Sequence, residues 1–159
     1  MPGIRHFISS LLAVAMLTAM VACDQPANRF SSYRNIDIDQ GWAYADTLAF
    51  FPDHADSVAT GAYWVCVRHN NNYPYANLWL ELSYADDRGE THTDTLNMPL
   101  ADTYGRWKGQ RLGLKYQQRI KATGRVTHVI GTPLKLRHIM RVDTIRDIDL
   151  VGLEFIGDK

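Results

Sequence analysis

The stretch Tyr73–Tyr84, YPYANLWLELSY, decides how this chain is read. From Asn77 its residues alternate. Leu78, Leu80, Leu82 and Tyr84 fall on one side, and Asn77, Trp79, Glu81 and Ser83 on the other. A strand turns successive side chains to opposite faces, so this period of two describes a half-buried antiparallel strand with its leucines inward. Pro74 has no N–H to give a ladder and holds Tyr73 extended, which assigns YPY to the turn before the strand. Asn70, Asn71 and Asn72 supply that turn, because asparagine tolerates left-handed backbone and bonds its own main chain.

Neighbouring segments extend the pattern on both sides. Asp86-Asp87-Arg88-Gly89 closes a hairpin into Thr91–Leu96, whose threonines favour strand. His92 and Asp94 share one side of that strand and read as its wet face. Upstream, Tyr63–His69 is apolar at both parities, as expected of a central strand covered on both faces. Before it, DTLAFFPD reads as a strand ended by Pro52, and DHADSVATG as a loop. Asn97–Gly113 is a long polar excursion broken by Gly105, Gly109 and Gly113. Leu114–Ile120, Arg125–Ile130 and Leu134–Met140 are further strands. In Ile145–Ile156 the apolar residues change parity, and Gly152 marks the expected β-bulge. The sum is eight to nine short strands with little helix. The fold class is all-β, an antiparallel β-sandwich, with a jelly roll among the arrangements that fit.

Residues 1–22 read as a lipoprotein signal peptide. Arg5 begins it, Phe7–Val21 carries no charge, and small Ala22 precedes Cys23. Cys23 is the expected lipid-attachment residue. Each buried methylene of palmitate-type acyl chains contributes about 0.8 kcal/mol, so two or three chains hold a protein on its bilayer. Residues 23–32 then form the lipidated cysteine and a polar tether, and residues 33–159 the sandwich domain. Cys66, the second of two cysteines, is left as a small buried hydrophobe without a disulfide.

The 17 basic and 17 acidic residues balance, which argues against nucleic acid as a partner. No nucleophile elbow, H-E-x-x-H or Walker loop is present. Asp53, His54 and Asp56 alternate in a loop and lack a second ligand cluster. No catalytic residue, metal or cofactor is therefore expected. Trp107, between Arg106 and Lys108, has two readings. With Tyr73 and Tyr75 it could form a contact platform for a glycan, a peptide or another partner. Alternatively it plugs an open end of the sandwich, with the cationic stems laid alongside; of the two, the plug is favoured.

The run N-x-Y-P-Y-x-N-L-W-L at Asn71–Leu80, then DTL at Asp94–Leu96, LAD at Leu100–Asp102 and GRWKG at Gly105–Gly109, resembles the GldH family of gliding-motility lipoproteins of the Bacteroidetes. Met140-Arg141, Asp143 and Val151-Gly152-Leu153 continue the likeness, which spans about Trp42 to Phe155. The chain departs from the family pattern after Gly109, where Gln110-Arg111-Leu112 precedes Gly113. The resemblance implies a non-enzymatic cell-envelope lipoprotein associated with gliding motility and the type IX secretion machinery. It implies an outer-membrane anchor through acylated Cys23 and partners among envelope proteins of that apparatus. Whether the domain faces periplasm or medium stays open. A glycan- or peptide-binding envelope lipoprotein is the alternative.

Overall fold

The computed structural model describes residues 29–52, 58–129 and 131–158. Within them lie twelve strands and no helix. They are β1 (Arg29–Asn35), β2 (Trp42–Ala43), β3 (Leu48–Phe50), β4 (Val58–Asn70), β5 (Asn77–Ala85) and β6 (Thr91–Pro99), followed by β7 (Gln110–Leu112), β8 (Lys115–Lys121), β9 (Val126–Val129), β10 (Leu134–His138), β11 (Thr144–Ile145) and β12 (Ile148–Gly157). One sheet runs β1-β12-β4-β8-β7, with β9 paired to the start of β4. A second runs β3-β10-β5-β6, and β2 and β11 form a small ribbon. Every pairing is antiparallel. The all-β sandwich read from the sequence is the observed architecture.

The count exceeds eight or nine because β2, β7 and β11 are too short to show a period. β1 is a different case. Its sequence RFSSYRN is polar and reads in part as tether, yet from Arg29 it pairs residue for residue with β12. Among the described residues, the first sheet therefore already includes Arg29–Ser32. Cys23 and the rest of the expected signal peptide and tether lie outside the described residues, as do Asp53, His54 and Asp56. Within the loop expected over DHADSVATG, Val58–Gly61 belong to β4 instead.

The core lies between the two large sheets. From β4 come Tyr63, Val65 and Val67, and from β12 Val151, Leu153 and Phe155. Leu78, Leu80, Leu82 and Tyr84 of β5 join them, with Leu96, Met98, Leu134 and Leu136. Tyr63 touches both Tyr84 and Phe155, with ring centroids 5.3 Å apart in each pair.

The other face of β4 is covered without a third layer. The Arg119 guanidinium lies 4.5 Å from the Trp64 ring and pairs with Glu154 at 2.9 Å. The Tyr33 hydroxyl donates to the same carboxylate at 2.6 Å. Side chains of β1, β4, β8 and β12 thus roof Cys66, which is buried. Burial pushes its thiol up to about 11.

Gly152 is not the bulge. The register slips between Ile148 and Leu150, leaving Asp149 as the extra residue, and this brings both Ile148 and Val151 into the core. Gly152 lacks a side chain for another reason. A Cβ there would come within 2.3 Å of the Tyr33 ring, its cross-strand neighbour. Asp149 receives Arg68 through Nε and Nη2, each at 2.9 Å, and also the Lys115 ammonium. Burial opposes its charge, but those hydrogen bonds outweigh burial and hold the carboxyl below its usual range.

Register also fixes two poles. Arg29, Ile156 and Ala62 lie side by side at one end, and Asn70 and Lys115 at the other. Eight residue steps of β4 separate these levels, about 26 Å at strand rise.

Candidate functional site: the aromatic pole

The pole at Asn70 is built from the β4–β5 turn and the loop between β6 and β7. The turn is closed by Asn70, whose Oδ1 accepts the Asn72 N–H at 2.7 Å while its Nδ2 donates to Asp147. The loop after β6 is anchored by the Ala76 carbonyl, which accepts the N–H groups of Leu100 and Ala101. Asp102 folds the tip back. Its Oδ1 accepts from Tyr104 and Arg106 N–H at 2.9 Å each, and its Oδ2 receives Arg106 Nε at 2.7 Å. An Asp that satisfies its own following backbone makes such a turn self-supporting. Gly109 then runs against β8 with φ 84°, and a Cβ there would meet the Gln117 carbonyl at 2.2 Å.

This geometry brings Tyr73, Tyr75 and Trp107 together. Trp107 is partly buried against the core, and its indole N–H donates to Asn71 Oδ1 at 2.8 Å. Its ring stands edge-on to His69 at 4.6 Å and tilts against Tyr73 and Tyr116 at 6.4 and 6.2 Å. Tyr75 stands edge-on to Tyr73 at 5.6 Å. Tyr73 is only 3% exposed and its hydroxyl donates to the Asn77 carbonyl. Its ring is therefore not open to a ligand, and burial raises its pKa. His69 is fully buried beneath the cluster. Its Nδ1–H donates to the Asn70 carbonyl at 2.8 Å, so the neutral ring presents Nε2 to the aromatic side chains. Burial lowers the His69 pKa, favouring that neutral form.

Sequence reading missed His69 and Tyr116 as members of this pole. His69 ends the apolar run of β4, which looks like ordinary core, and Tyr116 lies in the mostly polar β8, KYQQRIK. The available signal is their pairing across β4 and β8, which places both rings beneath the same loop.

The opposite end of the β5–β6 hairpin holds the other group of titratable side chains. His92 and Asp94 do not lie on a wet outer face, because they share parity with buried Leu96 and Met98. They sit where that inward face opens to solvent beyond the core. The Tyr84 hydroxyl donates to Asp94 at 2.9 Å, and its ring stacks on His92 at 5.6 Å. Burial first, then Asp94, pushes the Tyr84 phenol up to about 12.

Asp86, Glu90 and His92 have ligand atoms within 4.8 Å of one another, beside an open cleft of about 350 Å³ that Arg88 and Arg125 also line. Asp86 is already engaged. One oxygen accepts the Arg88 and Glu90 N–H groups, and the other meets His92 Nε2 at 2.9 Å. These bonds explain the cluster as hairpin-turn chemistry.

The described residues thus define an antiparallel β-sandwich with one end sealed by packed aromatic rings. The family model described as GldH lipoprotein matches residues 28–155. The chain belongs to the GldH lipoprotein family. It is similar to the gliding motility lipoprotein GldH homolog of Christiangramia forsetii, with 23% identity over 96% of this chain and 94% of that one. It is also similar to the gliding motility lipoprotein GldH of Flavobacterium johnsoniae, with 27% identity over 89% and 91%. Among solved structures, a Xyl-CBM35 in complex with a glucuronic acid-containing disaccharide covers 86% of this chain and 85% of its own. The TM-score is 0.36 and the identity 18%. A likeness at that level says nothing about what this chain binds.

Proposed function

We propose that this protein is a gliding-motility lipoprotein, held at the outer membrane through acylated Cys23 and acting there as a non-catalytic component of the motility and type IX secretion apparatus. The observation that carries this reading is the end-to-end likeness to relatives named as gliding motility lipoproteins, with at least 91% of each relative covered. The aromatic pole supports the non-catalytic part. Tyr73 and the Trp107 indole N–H are spent on packing and internal hydrogen bonds, and His69 is sealed beneath them. Within this reading Trp107 is the plug that closes the sandwich.

Mild crosslinking of cells followed by recovery of the tagged full-length lipoprotein tests the assignment. Co-recovery of type IX secretion proteins is the expected result. Recovery free of them, together with retarded migration in a polysaccharide gel, would replace it with a glycan-binding role.

A further inference from the structure

The sealed aromatic pole carries, on its outside, a surface that the fold does not use. β7 and β8 are joined by a two-residue turn, since Leu112 pairs with Lys115. Gly113 supplies the positive φ of 66° at its first central position, leaving Leu114 at the second. Turn tips normally carry Gly, Asn, Asp or Ser, yet Leu114 is 80% exposed. Leu112 beside it is exposed as well. In the loop between β6 and β7, Tyr104 is 83% exposed, with the Arg106 guanidinium 5.3 Å from its ring. Three large apolar side chains on two turns of this pole are thus left exposed to solvent.

The stretch of sequence that carries them is basic. Between Thr103 and Tyr116 the sequence holds Arg106, Lys108, Arg111 and Lys115 and no acidic residue. Asp102 and Asp149 occupy Arg106 and Lys115. Lys108 and Arg111 are exposed and have no ion-pair partner among the described residues. Apolar tips beside two unspent cations, Lys108 and Arg111, match a partner that offers apolar recesses flanked by carboxylates.

Position separates that partner from the protein's own bilayer. This step rests on the Cys23 anchor proposed above. Six residue steps from Cys23 to Arg29 reach about 21 Å at full extension. The tips lie about 26 Å beyond Arg29 along the strands, by the rise per residue. A tip-first contact with the anchoring membrane is out of reach.

We propose that Tyr104, Leu112 and Leu114, with Arg106, Lys108 and Arg111, form a docking surface for an acidic protein of the envelope, presented away from the anchored membrane.

The test is photo-crosslinking in the native cell. Full-length lipoprotein carries p-benzoylphenylalanine in place of Tyr104 or Leu114, and in place of Asp87 at the other end of the sandwich as a control. The expected result is one protein adduct from positions 104 and 114, mapping to a segment rich in Asp and Glu, at least tenfold weaker from position 87. Combining Lys108→Gln with Arg111→Gln lowers its yield at least tenfold, with the melting temperature of the purified protein unchanged. Adducts with lipid alone, with a second copy of this chain, or with no molecule would overturn the proposal. So would a yield indifferent to the charge substitutions. A strain lacking the gene that still glides would refute the motility reading and leave the adduct standing. A gliding defect on deletion without an adduct would do the reverse.

Discussion

The Trp107 indole N–H donates to Asn71 Oδ1 at 2.8 Å, tying the loop after β6 to the turn between β4 and β5. The two residues are 36 positions apart in the chain. Their bond brings the two sequence features that mark the family onto one surface, with His69 and Tyr116 beneath it. An aromatic ring with one polar handle suits this place, since the ring fills the end of the core and the N–H is satisfied at its edge.

Removing that ring should therefore act on stability. Trp107→Ala should lower unfolding free energy by roughly 2–4 kcal/mol, as expected for losing a large, partly buried aromatic side chain. Asn71→Ala should lower it by about 1 kcal/mol. Denaturant titration of the two single variants and the pair should give less than the sum, because both delete the same bond. Additive effects would mean that the clasp is not shared.

Gly152 offers a steric test. In Gly152→Ala the new methyl meets the Tyr33 ring, which is itself held by Glu154. The expected loss is roughly 1–3 kcal/mol from overpacking. In a Tyr33→Ser background the same substitution should cost less than half as much. An equal penalty in both backgrounds would assign the strain to the backbone and not to the ring.

Asp149 joins bulge, β4 and β8 through Arg68 and Lys115. Asp149→Ala leaves two cations without their carboxylate and should cost roughly 1–3 kcal/mol, the lower end reflecting partial solvent access. Because its folded pKa lies below the unfolded value, the contribution is present above about pH 4 and is lost as pH falls through the folded pKa. Thermal melts of wild type and variant should differ at pH 7 and converge in strong acid.

Three histidines add a second acid-sensitive term at milder pH. His69, His128 and His138 are all fully buried, and burial lowers each pKa. The unfolded chain takes up these protons first as pH drops, so stability is flat above about pH 6.5 and declines below it. His138 sits edge-on to Trp42 and Tyr44, and His138→Phe should shallow the decline between pH 6.5 and 5. A melting temperature unchanged from pH 7.5 to 5 in wild type would contradict this account.

How far the sequence could be read depended on where the cause of each feature lay. β5 was plain because one face is buried, and its alternation is that burial written in the chain. β4 was recognisable as central, but what covers its outer face comes from Tyr33, Arg119 and Glu154 on three other strands. The parity change in β12 announced a bulge. Its place was misread because a glycine looked like the bulge residue, when that glycine makes room for a ring from β1. β1 itself is a polar edge strand whose conformation is imposed by pairing with β12, so its own residues carry little signal. At the aromatic pole, Tyr73, Tyr75 and Trp107 could be singled out as large aromatics beside turns. Their floor, His69 and Tyr116, depended on register across β4 and β8, which no local pattern states.

The most direct measurement is single-cell gliding and secreted-protein yield in a strand-matched set of strains: gene deleted, restored with the wild-type chain, and restored with Cys23→Ala. The account predicts loss of both activities on deletion, recovery with the wild-type chain, and failure of Cys23→Ala to recover them despite a correctly folded domain. Normal spreading and normal type IX secretion in the deletion strain would contradict it.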